Sequence, residues 1–211
     1  MALIGMFACQ EAKKDDSKTT QTEQVEKFTP ETFSETDIPE NIKKQEKAKI
    51  IGGAKWKDKQ GSFLLILVEI PLFKKLSKES PNDSINQVEA QAYLFKNGIQ
   101  IQKYLIVESH KVFDIDAKFI KEATTVVDSD KNDIGEATFL IKHYMYAGAV
   151  VPSQLKLITF TDESKYEMEG TISSKILNYK GSIDKNNFTN APAPILTQAK
   201  QIWEKFWEEK Q

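Results

Sequence analysis

Two apolar runs, Val88 to Phe95 and Ile99 to Val107, are separated only by Lys96-Asn97-Gly98. Asn and Gly both accept positive φ, so an Asn-Gly pair closes a tight turn whose twist matches that of two antiparallel strands. This fixes a long β-hairpin in the middle of the chain, and the neighbouring segments must be compatible with it. Ser62 to Ile70 is nearly continuous Phe, Leu, Ile and Val, the pattern of a strand covered on both faces. Ahead of it, Ile50-Ile51-Gly52-Gly53-Ala54-Lys55-Trp56 and the turn residues Asp58-Lys59-Gln60-Gly61 predict a second hairpin. Ser77 to Ser84, with Pro81, Asn82 and Asp83, is expected to be a loop.

Further strands are predicted around Lys111 to Asp116, Phe119 to Val127, Glu136 to Tyr146, Gln154 to Thr161 and Lys165 to Glu169. In the strand from Glu136, alternate residues divide into Ala137, Phe139, Ile141 and His143 on one face and Thr138, Leu140, Lys142 and Tyr144 on the other. Neither set is purely polar, which suits a central strand. After Pro192 and Pro194 the periodicity changes: Leu196, Ala199, Trp203, Phe206 and Trp207 recur at helical spacing opposite Lys200, Glu204 and Glu208. The expected fold is therefore mainly β (α+β), an antiparallel β-rich domain over residues 48–211 finished by a C-terminal amphipathic helix that packs on the sheet. No internal repeat of fixed period is found, which disfavours a propeller or solenoid.

The front of the chain is different. Residues 1–9, Met-Ala-Leu-Ile-Gly-Met-Phe-Ala-Cys, are apolar, place the small Ala8 before Cys9, and give way at once to charged residues. That is the order of a lipoprotein signal, in which a peptidase cuts before a cysteine that then carries lipid. The run is shorter than a full signal and has no lysine ahead of it, as expected of a truncated one. Cys9, the sole cysteine, is thus the expected lipid-attachment residue, and the membrane, reached through that anchor, the expected partner. Residues 10–47 are dominated by Lys, Glu, Asp, Thr and Gln, with Phe28, Phe33 and Ile38 too sparse to form a core. They are expected to be a flexible tether with a reach of roughly 35 Å. A charged helix within Glu40 to Lys49 is the alternative for the last part.

Composition narrows function mainly by exclusion. The 211 residues carry a formal net charge of -2, and every one of the 29 residues counted as Lys or Arg is lysine. Nucleic acid is not an expected partner, because phosphate binding needs a clustered positive surface and base reading favours arginine. The two histidines, His110 and His143, are far apart and are read as structural. No nucleophile elbow or phosphate-cradling loop is present, and no catalytic residue is assigned.

One segment does point to chemistry. In Asp128-Ser129-Asp130-Lys131-Asn132-Asp133-Ile134-Gly135-Glu136, oxygen-bearing side chains alternate between two strand-like runs. Such a loop can curl around a hard cation that accepts six to eight oxygens. The expected calcium ligands are the side chains of Asp128, Asp130 and Asn132, the backbone carbonyl of Ile134 and the carboxylate of Glu136. Asp133 stands where a sharp turn favours glycine. The competing reading is a solvated turn that binds nothing. No other cofactor is expected.

Phe113-Asp114-Ile115-Asp116-Ala117 with Phe119-Ile120, then Val127 through Ala137, then Leu155-Lys156-Leu157-Ile158 followed by Lys165-Tyr166 and Gly170, resemble a little-characterised family of bacterial envelope proteins labelled surface polysaccharide biosynthesis proteins. The resemblance spans most of Trp56 to Trp207 and departs at Asp133 and around His143 to Val151. It implies an association with surface glycan assembly but no defined reaction. Lys14-Asp15-Asp16 after Cys9 is similar to signals that send lipoproteins to the outer face of the outer membrane. Together these features lead to the expectation of a lipid-anchored, non-enzymatic envelope protein that binds or helps assemble a surface component such as polysaccharide, or that meets an envelope protein. The alternatives are an envelope glycan-acting enzyme using carboxylates and an interaction module whose sheet edge receives a partner strand.

Overall fold

A computed structural model describes residues 27–76, 84–110, 115–145, 152–175 and 178–208. Asn97 and Gly98 have φ of 50° and 80°, the positive values required of a two-residue hairpin turn. They join β4 (Ser84–Lys96) to β5 (Ile99–His110), and Asp58 with Gly61 closes the hairpin of β2 (Lys49–Asp58) and β3 (Gly61–Leu76). With the short β1 (Thr29–Glu31), these strands form one antiparallel sheet in the order β1-β2-β3-β4-β5.

A second sheet contains β6 (Ile115–Phe119), β7 (Thr125–Val127), β8 (Glu136–Met145), β9 (Gln154–Phe160), β10 (Lys165–Thr171) and β11 (Ser182–Asn186). Its order is β11-β10-β9-β8-β6, with β7 also paired to β8. The two sheets face each other. Phe63, Leu65 and Leu67 of β3 and Val88, Ala90 and Leu94 of β4 meet Phe119, Phe139, Ile141, Ile158 and Phe160 in one buried cluster.

The strands that read as apolar on both faces are those with a second layer behind them. Leu64, Ile66 and Val68 of β3 and Tyr93 and Phe95 of β4 point away from the sandwich and pack under Phe33, Ile38 and Ile42. Ile38 and Ile42 belong to a segment containing a 3-10 turn, Glu35–Asp37, and the helix α1 (Glu40–Lys43). On the opposite side, Leu140, Leu155, Leu157 and Met168 pack against Ile195, Ala199 and Trp203 of the terminal helix α2 (Ala193–Phe206). Four layers result: the α1 segment, the first sheet, the second sheet and α2. The mainly β fold with its C-terminal helix thus follows the sequence pattern.

Two expectations require correction. The segment assigned to a tether folds in from at least Thr29: β1 pairs with Glu31 opposite Lys55, and Ile38 and Ile42 are 4% and 3% exposed. Few apolar residues suffice there because the first sheet already presents an apolar outer face to receive them. Residues 10–26 of that segment, and Cys9 with the expected signal, lie outside the described residues. The run Phe119 to Val127 is not one strand. It breaks at a 3-10 turn, Lys121–Ala123, which carries Ala123 into the cluster beneath α2, and β6 and β7 then pair with different parts of β8.

Candidate metal centre

The acidic loop connects β7 to β8 and is fastened to the first sheet. Asp58, 1% exposed at the end of β2, accepts hydrogen bonds from Trp56 Nε1 (3.1 Å), Gly135 N (3.1 Å) and Gln60 N (2.8 Å). Trp56 is itself stacked on Phe63, with ring centroids 5.1 Å apart. A Cβ on Gly135 would come within 2.6 Å of Trp56 Nε1 and 2.8 Å of Phe28, so glycine is dictated here by close approach. Lys59 holds the other side of the loop, its N–H donating to Asp133 O at 3.3 Å and its ammonium to Asn132 O.

Within the loop, Asp128 accepts the N–H groups of Asn132 and Asp133, both at 2.9 Å. This draws the backbone into a tight curl in which Lys131 and Asp133 take φ of 60° and 62°. The left-handed conformation anticipated at Asp133 is present, and Asp is among the residues that tolerate it best. The curl turns three carboxylates inward: oxygen atoms of Asp128, Asp130 and Glu136 lie within 4.8 Å of one another.

The other two expected ligands are placed differently. Asn132 Oδ1 accepts the N–H of Ile134 at 2.7 Å and its amide donates to Asp130 Oδ2 at 3.0 Å. Its oxygen therefore completes a local backbone turn, and its role toward the acidic group is to orient Asp130. Ile134 stands on the wall of an adjoining cavity of about 290 Å³, together with Asp130, Glu136, Gln60, Tyr166 and Ile195. The β9–β10 turn closes that cavity with Asp162, which is paired to Lys96 at 3.0 Å.

The electrostatics of the three carboxylates are unbalanced. Glu136 is 1% exposed, and its Oε2 accepts Ser129 N at 2.8 Å and Ser129 Oγ at 2.9 Å. Burial, reinforced by the negative charges of Asp130 and Asp128, nonetheless pushes its carboxyl from an ordinary 4.5 to about 7. Asp130 Oδ1 is buried with no hydrogen-bond partner among the described residues. Converging acidic oxygens that form no ion pair among the described residues are chemically suited to a hard, oxygen-seeking cation. The three carboxylates would supply part of the oxygen shell of such a cation, beside the adjoining cavity.

The histidines form no part of this group. His143, 6% exposed, lies on the inner face of β8 with Nδ1 3.0 Å from Glu108 Oε1 of β5, tying the two sheets together. Sequence reasoning also missed Asp58, which no local pattern marks as an anchor for a loop 77 residues away. No family model, curated protein or solved structure matches this chain. Among the described residues no helix is long and apolar enough to cross a membrane.

Proposed function

We propose that this chain is a lipid-anchored protein of the bacterial cell envelope, held at the outer membrane through Cys9, whose β-sandwich domain binds or helps assemble a surface component such as polysaccharide. Calcium at Asp128, Asp130 and Glu136 sets the shape of the binding loop. The observation that carries the cation-binding part of the reading is the convergence of these three carboxylates around a nearly inaccessible Glu136 at the wall of a cavity; the anchor rests on the apolar run that ends at Ala8-Cys9. A cation there offsets the burial, and the lesser repulsion from Asp130 and Asp128, that push Glu136 up, and locks the wall that a ligand would meet. The protein acts as a binding rather than a catalytic component.

A glycan-cleaving enzyme remains the competing class, and it makes different geometric demands. Glycosidases separate their two carboxyl groups by about 5 to 9.5 Å so that the scissile bond, and in some a water, fits between them. Asp130 and Glu136 present oxygens within 4.8 Å of one another, near enough to share one ion.

The test has two arms. Cys9→Ser should move the protein from the membrane to the soluble fraction of its cells. Isothermal titration of the full chain with calcium should show saturable binding that Asp130→Ala removes, and surface polysaccharide extracted from the same cells should bind more tightly with calcium than with chelator. Cleavage of that polysaccharide would replace this reading with the enzymatic one.

A further inference from the structure

The cavity beside the acidic loop has unlike walls. Asp130 and Glu136 stand on one side, and Tyr166, Pro192 and Ile195 also line it, the Tyr166 ring backed by Phe188 with centroids 5.5 Å apart. Glu136 is more than nine-tenths buried, yet the two hydrogen bonds it accepts both fall on Oε2. Its Oε1 and the buried Oδ1 of Asp130 therefore accept nothing among the described residues. The turn between β9 and β10 contributes Asp162, Glu163 and Ser164 to the same space.

Size and charge limit what fits between these walls. A volume of about 290 Å³ is near the lower end of the range for small-molecule sites, about 300 to 1,000 Å³, and suits a single ring. A divalent cation at the loop is outnumbered by its three carboxylates, and Asp162 and Glu163 add further acidic groups. The ammonium groups beside the cavity are already engaged, Lys96 by Asp162 at 3.0 Å and Gln60 at 3.2 Å, and Lys59 by the carbonyl of Asn132. An anionic ligand is therefore repelled. Neutral oxygens are not, and calcium takes about six to eight of them. Adjacent hydroxyls on one ring supply two such oxygens, while the ring's C–H face lies against an aromatic side chain.

Given calcium at the loop, as proposed above, we propose that this cavity takes one neutral pyranose residue, two of whose adjacent hydroxyls enter the shell of the ion held by Asp128, Asp130 and Glu136. Its C–H face stacks on Tyr166. The metal then bridges sugar and protein, so the two ligands are coupled: the factor by which calcium tightens the sugar is the factor by which the sugar tightens calcium. Selectivity follows from the same geometry. In a methyl hexopyranoside the 3-hydroxyl belongs to every adjacent pair of hydroxyls, so removing it destroys the chelating pair, and a uronic acid brings a charge that the surrounding carboxylates oppose.

The experiment titrates the full chain, by saturation-transfer NMR and calorimetry in calcium or chelator, with the methyl glycosides of mannose, glucose and galactose. At least one should bind saturably in calcium and not in chelator. Its 3-deoxy analogue should bind at least roughly tenfold more weakly, and methyl glucuronide should not bind. Tyr166→Leu, which keeps apolar packing against Phe188, should weaken the sugar roughly tenfold while calcium binding, titrated alone, stays unchanged. Calcium binding without binding of any of the three glycosides would overturn this inference and leave the cation reading standing. So would a glycoside indifferent to chelator, to loss of its 3-hydroxyl or to Tyr166→Leu, or a preference for the glucuronide. Failure of calcium itself to bind would overturn both.

Discussion

Glu136→Gln tests the electrostatic account of the acidic loop most directly. The folded-state carboxyl titrates near 7 rather than 4.5, so the folded protein holds this proton more tightly than the unfolded chain does. The associated stability is fully present below about pH 4.5 and is lost as pH rises through about 7, amounting to about 3 kcal/mol over that window. Glutamine cannot ionise, and its amide can donate to the partnerless Asp130 Oδ1. In chelator at about pH 8, Glu136→Gln should therefore be more stable than wild type by up to about 3 kcal/mol, or about 6 to 12 °C in melting temperature for a chain of this size.

Calcium should reverse the order. A bound cation replaces the missing proton, so wild type gains stability by mass action, by about 2.7 kcal/mol at a hundredfold excess over the dissociation constant. The variant, with one ligand charge removed, should gain much less, and magnesium should do less than calcium because it sheds water reluctantly. Near-UV circular dichroism melts across this pH range, with calcium, magnesium or chelator, provide the measurement. Parallel pH dependence in wild type and variant, with no calcium effect on either, would refute both the buried-charge argument and the cation site.

Three further outcomes follow from packing. Trp203, 2% exposed beneath the second sheet, should cost about 3 to 5 kcal/mol when changed to alanine, read as a lower denaturation midpoint. Removing residues 1–47 should destabilise the domain by at least about 3 kcal/mol in denaturant unfolding, because it strips the buried Ile38 and Ile42 from the first sheet; an unchanged midpoint would restore the tether reading. Gly135→Ala should cost about 1 to 3 kcal/mol and weaken calcium binding in titration, since its methyl group must displace Trp56 or Phe28.

The sequence by itself determined the local elements whose chemistry is carried by adjacent residues. Asn97-Gly98 specified a hairpin through backbone φ alone, and the unbroken apolar run of β3 announced a strand covered on both faces. The stripe through Ala199 and Trp203 defined α2, and Asp133 marked a left-handed turn in the acidic loop. Tertiary structure decided everything that depends on a distant partner. Phe28, Phe33 and Ile38 are too sparse to hold a fold locally, yet they become core once the outer face and edge of the first sheet exist to receive them. The edge strand β11, exposed along most of its length, carries no apolar alternation, and only its pairing with β10 makes it a strand. Alternating oxygens in the loop could not reveal which of them converge. The hydrogen bond that Asp58 accepts from Gly135 and those that Lys59 and Ser129 donate set that arrangement, with Asn132 turned onto the backbone and Asp128, Asp130 and Glu136 facing one another. A side chain's own sequence fixes what it can bond to, whereas burial and the neighbours brought by the fold decide which of those bonds it makes.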